Sequence, residues 1–145
     1  MAEVRVRVAT ECDDASYRAI QTLLPQLSSA APPTRQQIET VCAIDDSHLL
    51  LATVDNDIIG MLTLVIVHTL TGTGAHIEDV VVDDKARGQG VGEALVRHAL
   101  AVATDRGVQH VDLTSRPSRE AANQLYQRLG FELRETNAYR YRVGR

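Results

Sequence analysis

Valines at positions 4, 6 and 8 alternate with Arg5, Arg7 and Ala9, a period of two that predicts a strand with one buried face. Over residues 14–27 the period lengthens. Tyr17, Ile20, Leu23, Leu24 and Leu27 recur at helical spacing behind Asp13 or Asp14, either of which can cap a helix, and Pro25 ends or kinks it. Residues 28–33 read as a turn, after which Thr34 caps a short helix that buries Ile38, Val41 and Cys42. Two apolar runs, 48–54 and 58–68, flank Asp55, Asn56 and Asp57, residue types that tolerate turns, and predict an antiparallel hairpin.

The second half repeats the alternation of strand and helix. Residues 71–74, two threonines and two glycines, read as a flexible loop into a fourth strand over 76–82. A helix follows with Val91, Leu95, Ala99 and Val102 on one stripe, stopped by Gly107, and residues 111–114 form a fifth strand. Strand, crossover helix and strand make a parallel pair with a right-handed connection. Ser118 or Arg119 opens a last helix carrying Ala122, Leu125, Tyr126 and Leu129, closed by Gly130, and residues 131–134 and 139–143 are expected to form a final hairpin. The pattern predicts a mixed sheet with helices on its faces, without internal repeats.

A chain of 145 residues, 44% hydrophobic and 23% charged, fits one globular domain over 1–145. Aromatics are scarce and Trp is absent, so the core should be aliphatic. The N-terminal stretch lacks the apolar segment of a secretory signal, and the run around 62–67 is too short to cross a bilayer, which predicts a cytoplasmic protein without a membrane partner. Cys12 and Cys42 are then expected as reduced, buried thiols rather than a disulfide or metal site. A net charge of -4 disfavours nucleic acid, whose binding needs a basic surface. Arg134, Arg140, Arg142 and Arg145 make the C-terminal end locally basic, as a solvated strand face or an anion-binding patch.

The chemistry concentrates at Arg87, Gly88, Gln89, Gly90, Val91 and Gly92, between the β-branched Val80, Val81 and Val82 and the following helix. Glycines at a helix mouth let an anion approach bare N–H groups, where the helix dipole favours negative charge. The stretch therefore reads as a pyrophosphate cradle; the plainer reading is a tight strand-to-helix turn. A nucleotide-triphosphate loop would need a Gly-Lys pair, which does not occur. A dinucleotide fingerprint would need a small residue at Glu93 or Leu95, so a nicotinamide-dependent oxidoreductase is disfavoured.

The glycine loop fits the pattern [Q/R]-x-x-G-x-[G/A], and Asn123, Tyr126 and then Leu129, Gly130 and Phe131 follow in order beyond one strand. In these features the stretch 76–131 resembles the acyl-CoA-binding core of the GNAT superfamily of N-acetyltransferases. The resemblance implies a mixed, mostly antiparallel α/β sheet of six to seven strands with helices on both faces, the acyl-CoA N-acyltransferase fold. Its fourth and fifth strands form a parallel pair that splays at one end to admit acetyl-CoA. It further implies an enzyme that moves acetyl to a primary amine by direct attack in a ternary complex, without a metal, and commonly a homodimer. The alternative is a non-catalytic acyl-CoA-binding or regulatory domain.

By the same resemblance, the main chain of Val80, Val81 and Val82 would pair with pantetheine, and N–H groups from Arg87 to Gly92 would hold the pyrophosphate. Tyr126 would protonate the departing thiolate, against a plain reading as a core aromatic. Asn123, three residues earlier on the same helix face, would bond pantetheine, or else is a surface amide. Glu78, sharing a strand face with His76, would serve as base through water, or is merely a solvated residue. Glu93 departs from the family's habit of a basic or neutral residue there and is expected to point outward. The acceptor would meet residues 28–34 and 70–75, which carry no recognisable chemistry.

Overall fold

In the computed structural model, which describes residues 3–144, the chain divides into two compact units, one ending at Leu113 and one beginning at Thr114. The first contains the whole sheet: β1 (Arg5–Ala9), β2 (Ser47–Val54), β3 (Asp57–Thr69), β4 (Gly72–Val82) and β5 (Val111–Asp112), in spatial order β1-β2-β3-β4-β5. Every neighbouring pair is antiparallel except β4 and β5, which run parallel, so the mixed, mostly antiparallel sheet is present with five strands rather than six or seven.

Helices α1 (Asp14–Leu23) and α2 (Arg35–Ala43) start where their caps dictate. The Asp13 carboxylate accepts from the Ser16 N–H at 2.8 Å, and Thr34 and Gln37 form a reciprocal capping box. Pro25 converts the expected continuation of α1 into a single 3-10 turn over Leu24–Gln26. The turn between β2 and β3 takes two residues, not three. Asp55 and Asn56 hold φ of 50° and 70°, the left-handed pair that matches strand twist in a tight hairpin.

Residues 71–74 are not a flexible loop. Gly72 and Gly74 already lie in β4, paired with Thr69 and Val67. They are glycines because residues 109 and 110 press against them: a Cβ on Gly74 would come within 2.7 Å of His110 Nε2.

One face of the sheet packs Leu49, Leu51, Met61 and Val81 against Ile20 and Leu23 of α1 and Ile38 of α2. The alternate residues Leu50, Leu62 and Leu64 point to the other face, where α3 (Val91–Asp105) buries Val91, Leu95, Val96, Ala99 and Ala103. Val102, expected on that stripe, is only half-buried. Full burial of a Leu side chain contributes roughly 1.5–3 kcal/mol, and several Leu on each face do so, which fixes both helical layers to the sheet. Gly107, at φ 72°, turns the chain out of α3.

The second unit holds α4 (Glu120–Arg128), followed by Gly130 at φ 103° and then an extended segment. The final hairpin expected over 131–134 and 139–143 is not formed, and β5 ends at Asp112 rather than at residue 114. Alternation makes a segment able to be a strand, but only a hydrogen-bonded neighbour makes it one. Leu133, Tyr139, Tyr141 and Val143 are all at least 87% exposed. Arg145 of the expected basic end lies outside the described residues.

Candidate active site

Two irregularities of β4 set the geometry. The register on β3 passes from Thr63–Glu78 to Met61–Val81, so Asp79 and Val80 together stand opposite Leu62. This is a β-bulge, with Asp79 at φ 52° as the extra residue, and it breaks the ladder at the centre of the sheet. On the opposite edge, β5 accompanies β4 only at Ala75 and His76. Beyond that point, residues 77–82 have no strand beside their outer edge among the described residues.

The bulge also decides which way the side chains face. Thr63, Val65 and Met61 lie on one face of β3, so their partners Glu78, His76 and Val81 share it. Val81 packs into the core with α1 and α2, and Glu78 and His76, on that same face, remain exposed. Sequence alternation alone foresees the pairing of His76 with Glu78 but not the return of Val81 to their face.

β4 leads into a 3-10 turn over Asp84–Ala86 and then the glycine loop. Asp83 accepts from the Lys85 N–H, and the Gln26 side chain, from the turn after α1, accepts from the Asp84 N–H at 2.9 Å. Gln26 thus steadies the loop from a distant part of the chain, a role that no local pattern signals. Gly88 and Gly90 both sit at φ 79°, and a Cβ on either would meet no heavy atom within 4 Å. Gly90 is the N-cap of α3 and offers no side-chain cap, and the first intrahelical bond runs from the Ala94 N–H to its carbonyl. The N–H groups of Val91 and Gly92 at the helix mouth therefore lack intrahelical acceptors.

The side chains around this mouth are mixed in sign. Arg87 pairs with Asp84 at 2.7 Å on the surface. Glu93 turns along the helix to Arg97 at 3.1 Å. A groove of about 620 Å³ opens beside the loop between Arg18 and Thr22 of α1, the 55–57 turn, Lys85 and Gln89. Among the described residues no cluster of three or more His, Cys, Asp or Glu is placed to hold a metal ion.

In the second unit, Asn123 and Tyr126 come from one side of α4. The Asn123 amide donates to the Arg116 carbonyl at 3.0 Å, closing the turn ahead of the helix. Tyr126 packs edge-on against Phe131, ring centroids 5.8 Å apart, where the chain folds back at Gly130 and the Phe131 N–H donates to the Tyr126 carbonyl. Burial raises the Tyr126 phenol above its ordinary value of 10.0, opposed by Arg119. The phenol therefore keeps its proton at neutral pH.

A model of the acetyltransferase (GNAT) family matches residues 16–131. The chain belongs to the GNAT acetyltransferase family. Glucosamine 6-phosphate N-acetyltransferase 1 of Oryza sativa subsp. japonica is 33% identical over 124 residues, covering 79% of this chain and 73% of the relative. The glucosamine 6-phosphate N-acetyltransferase of Trypanosoma brucei brucei is 29% identical over 143 residues, 93% of each. Among solved structures, a transcriptional regulator from Bacillus halodurans C-125 superposes with a TM-score of 0.80 at 26% identity, covering 96% of this chain and 99% of that one. Glucosamine-6-phosphate N-acetyltransferase from Arabidopsis thaliana matches in fold, with a TM-score of 0.79 at 20% identity over 96% and 98% of the two chains. As a GNAT enzyme, the protein transfers an acetyl group to an amine.

Proposed function

We propose that this GNAT enzyme takes its acetyl group from acetyl-CoA and passes it to a primary amine by direct attack in a ternary complex. One continuous feature carries the reading: the outer edge of β4, unpaired over 77–82 and bulged at Asp79, runs into the uncapped, glycine-lined start of α3. An unpaired edge accepts an extended amide-containing arm as an added strand, here along Val80, Val81 and Val82. The open space at Gly88 and Gly90 fits a diphosphate held by N–H groups of the loop, from Arg87 through Gln89 and Val91 to Gly92. Acetyl-CoA supplies an activated thioester.

The protein's own groups then have distinct tasks. A backbone N–H at Val80 or Val81, displaced from regular pairing by the bulge, polarises the thioester carbonyl. Tyr126 donates its phenolic proton to the departing sulfur, a task suited to a phenol that stays protonated. Glu78, exposed beside the bulge, takes the ammonium proton through water. Asn123 has a second amide hydrogen to offer pantetheine while the first is engaged by Arg116. A cytoplasmic setting agrees with Cys12 and Cys42 standing as free thiols.

The test is thiol release from acetyl-CoA with a panel of amines. Glucosamine 6-phosphate comes first because two relatives carry it in their names, with a polyamine and a peptide amine as the other classes. Release with at least one class is expected. Tight acetyl-CoA binding without release from any amine would favour a regulatory acyl-CoA-binding domain, and absence of binding would overturn the whole reading.

A further inference from the structure

The main chain leaving β4 is hydrogen-bonded residue by residue as far as Ala86, and one of those bonds comes from far away. The Asp83 N–H donates to the Ile59 carbonyl of β3 at 2.8 Å, the Lys85 N–H to the Asp83 carboxylate at 3.0 Å and the Ala86 N–H to the Asp83 carbonyl at 2.8 Å. Asp84 differs. Its own turn offers its N–H no acceptor, and the acceptor is Gln26 Oε1 at 2.9 Å, 58 positions earlier in the chain. Beyond Ala86, among the described residues, no side chain and no other strand holds the main chain until α3 begins. Gln26 is therefore the last outside anchor before the glycine loop.

Its side chain is itself held in place. Gln26 ends the 3-10 turn that Pro25 imposes after α1, one helical turn beyond Thr22, a residue that lines the groove beside the loop. The half-buried amide donates through Nε2 to the Thr22 carbonyl at 3.3 Å, which leaves Oε1 directed at Asp84. Asp84 carries the constraint onward, since its carboxylate pairs with Arg87 at 2.7 Å, the residue at which the glycine loop starts. A neutral acceptor also suits the place: a carboxylate at position 26 would add a third negative charge beside Asp83 and Asp84, next to a site that takes an anion.

We propose that Gln26 is a positioning residue for the acetyl donor: by holding Asp84, and through the Asp84–Arg87 pair the start of the glycine loop, it keeps the loop amides in the geometry that meets a diphosphate. The inference rests on the donor reading above and requires no contact between Gln26 and acetyl-CoA. Its physical basis is preorganisation. A loop already fixed in its binding geometry loses little freedom when a ligand arrives, whereas a loosened one must be ordered at the expense of affinity. The end of α1 thereby tunes how tightly the donor is held, without touching the groups that react.

Calorimetric titration of the full chain with acetyl-CoA tests it. Gln26→Met keeps the length of the side chain and deletes the acceptor, and Gln26→Asn keeps an amide whose oxygen falls one methylene short. Both should raise the Kd for acetyl-CoA by about fivefold, the worth of one neutral hydrogen bond. In both, the Asp84 amide should lose protection from hydrogen exchange while the core of α3 keeps its own. With an amine that supports turnover, the KM for acetyl-CoA should rise in step and kcat should hold. Gln21→Met is the control: it removes another bond made from α1, to the Pro33 carbonyl at 2.7 Å, and should leave the Kd unchanged. A wild type that does not bind acetyl-CoA would overturn the donor reading itself. A wild type that binds, with Gln26 variants of equal Kd, a loss shared by Gln21→Met, or a loss in kcat rather than in KM, would overturn the role of Gln26 alone.

Discussion

Gly60, in the middle of the sheet, lies directly beneath Val91, the first residue of α3: a Cβ at Gly60 would come within 2.9 Å of Val91 Cγ1 and 3.1 Å of Leu95 Cδ1. The bare strand lets α3 seat its N-terminus close to β3, and Gly60 is paired with Val82, at the end of the free edge of β4. A residue on a neighbouring strand thus sets the height of the helix mouth. Gly60→Ala should destabilise the fold by about 1–3 kcal/mol, because the methyl overpacks a filled core. It should also raise the KM for acetyl-CoA more than that for the amine. Chemical denaturation and two-substrate kinetics check the pair of effects; an unchanged KM would show that the height of α3 does not matter.

Gly90 separates backbone conformation from space. Its φ of 79° disfavours any L side chain by about 1–2 kcal/mol, although a Cβ there meets nothing. Gly90→Ala should therefore lower stability by that order and still bind acetyl-CoA, whereas Gly90→Glu should place a carboxylate in the anion cradle and abolish binding. Calorimetric titration distinguishes the two variants. Normal affinity in Gly90→Glu would remove the loop from the donor site.

Tyr126→Phe deletes the proton and keeps the ring that packs on Phe131. Its kcat should fall by about a hundredfold or more, with the KM for acetyl-CoA nearly unchanged, as expected for loss of a general acid. Unaltered turnover would leave Tyr126 a packing residue. Glu78→Gln should shift the rising limb of the rate toward higher pH, where the amine sheds its proton unaided, and a superimposable pH profile would exclude Glu78 as the base.

His48 gives the body an acid-sensitive point. The Arg106 guanidinium, tied to the Asp46 carboxylate at 2.6 Å and to the Asp45 carbonyl, also faces His48 Nε2 at 3.4 Å. That nitrogen must accept, so the proton sits on Nδ1, which is buried with no hydrogen-bond partner among the described residues. Burial first and Arg106 second lower the His48 pKa from 6.5, opposed by Asp45 and Asp46. The unfolded chain then binds this proton more readily than the folded one, so the stabilisation is complete above pH 6.5 and is lost as pH falls through the lower folded value. Asp46, its pKa lowered chiefly by Arg106 and then by His68, loses its contribution only below 3.8. The wild-type Tm should drop between about pH 7 and pH 5, and less so in His48→Gln. Equal drops would assign the acid sensitivity elsewhere.

Much of this architecture is legible in local patterns. Asp13 and Thr34 start their helices where a side-chain acceptor precedes a helical period, and Gly107 ends one where a left-handed residue is needed. The glycine run marks the helix mouth because Gly88 and Gly90 both take φ of 79°, a left-handed conformation that glycine adopts at least cost. Other features escape such patterns because they depend on a neighbour distant in sequence. Gly72 and Gly74 look like loop residues until Gln109 and His110 are seen pressing on them. The bulge at Asp79 is visible only in the register with β3, and the steadying bond from Gln26 to Asp84 spans 58 residues.

The amino-acid order by itself determined the helices, the antiparallel meander, the strand-helix-strand crossover and the glycine-lined start of α3, since periodicity, caps and glycines act within a few residues. Tertiary structure alone decided where pairing stops. β5 leaves β4 after His76, the bulge interrupts β4 beside Leu62, and residues 131–143 remain outside any ladder despite their strand-like alternation. A backbone hydrogen bond needs a partner that is close in space, and strand propensity cannot supply one.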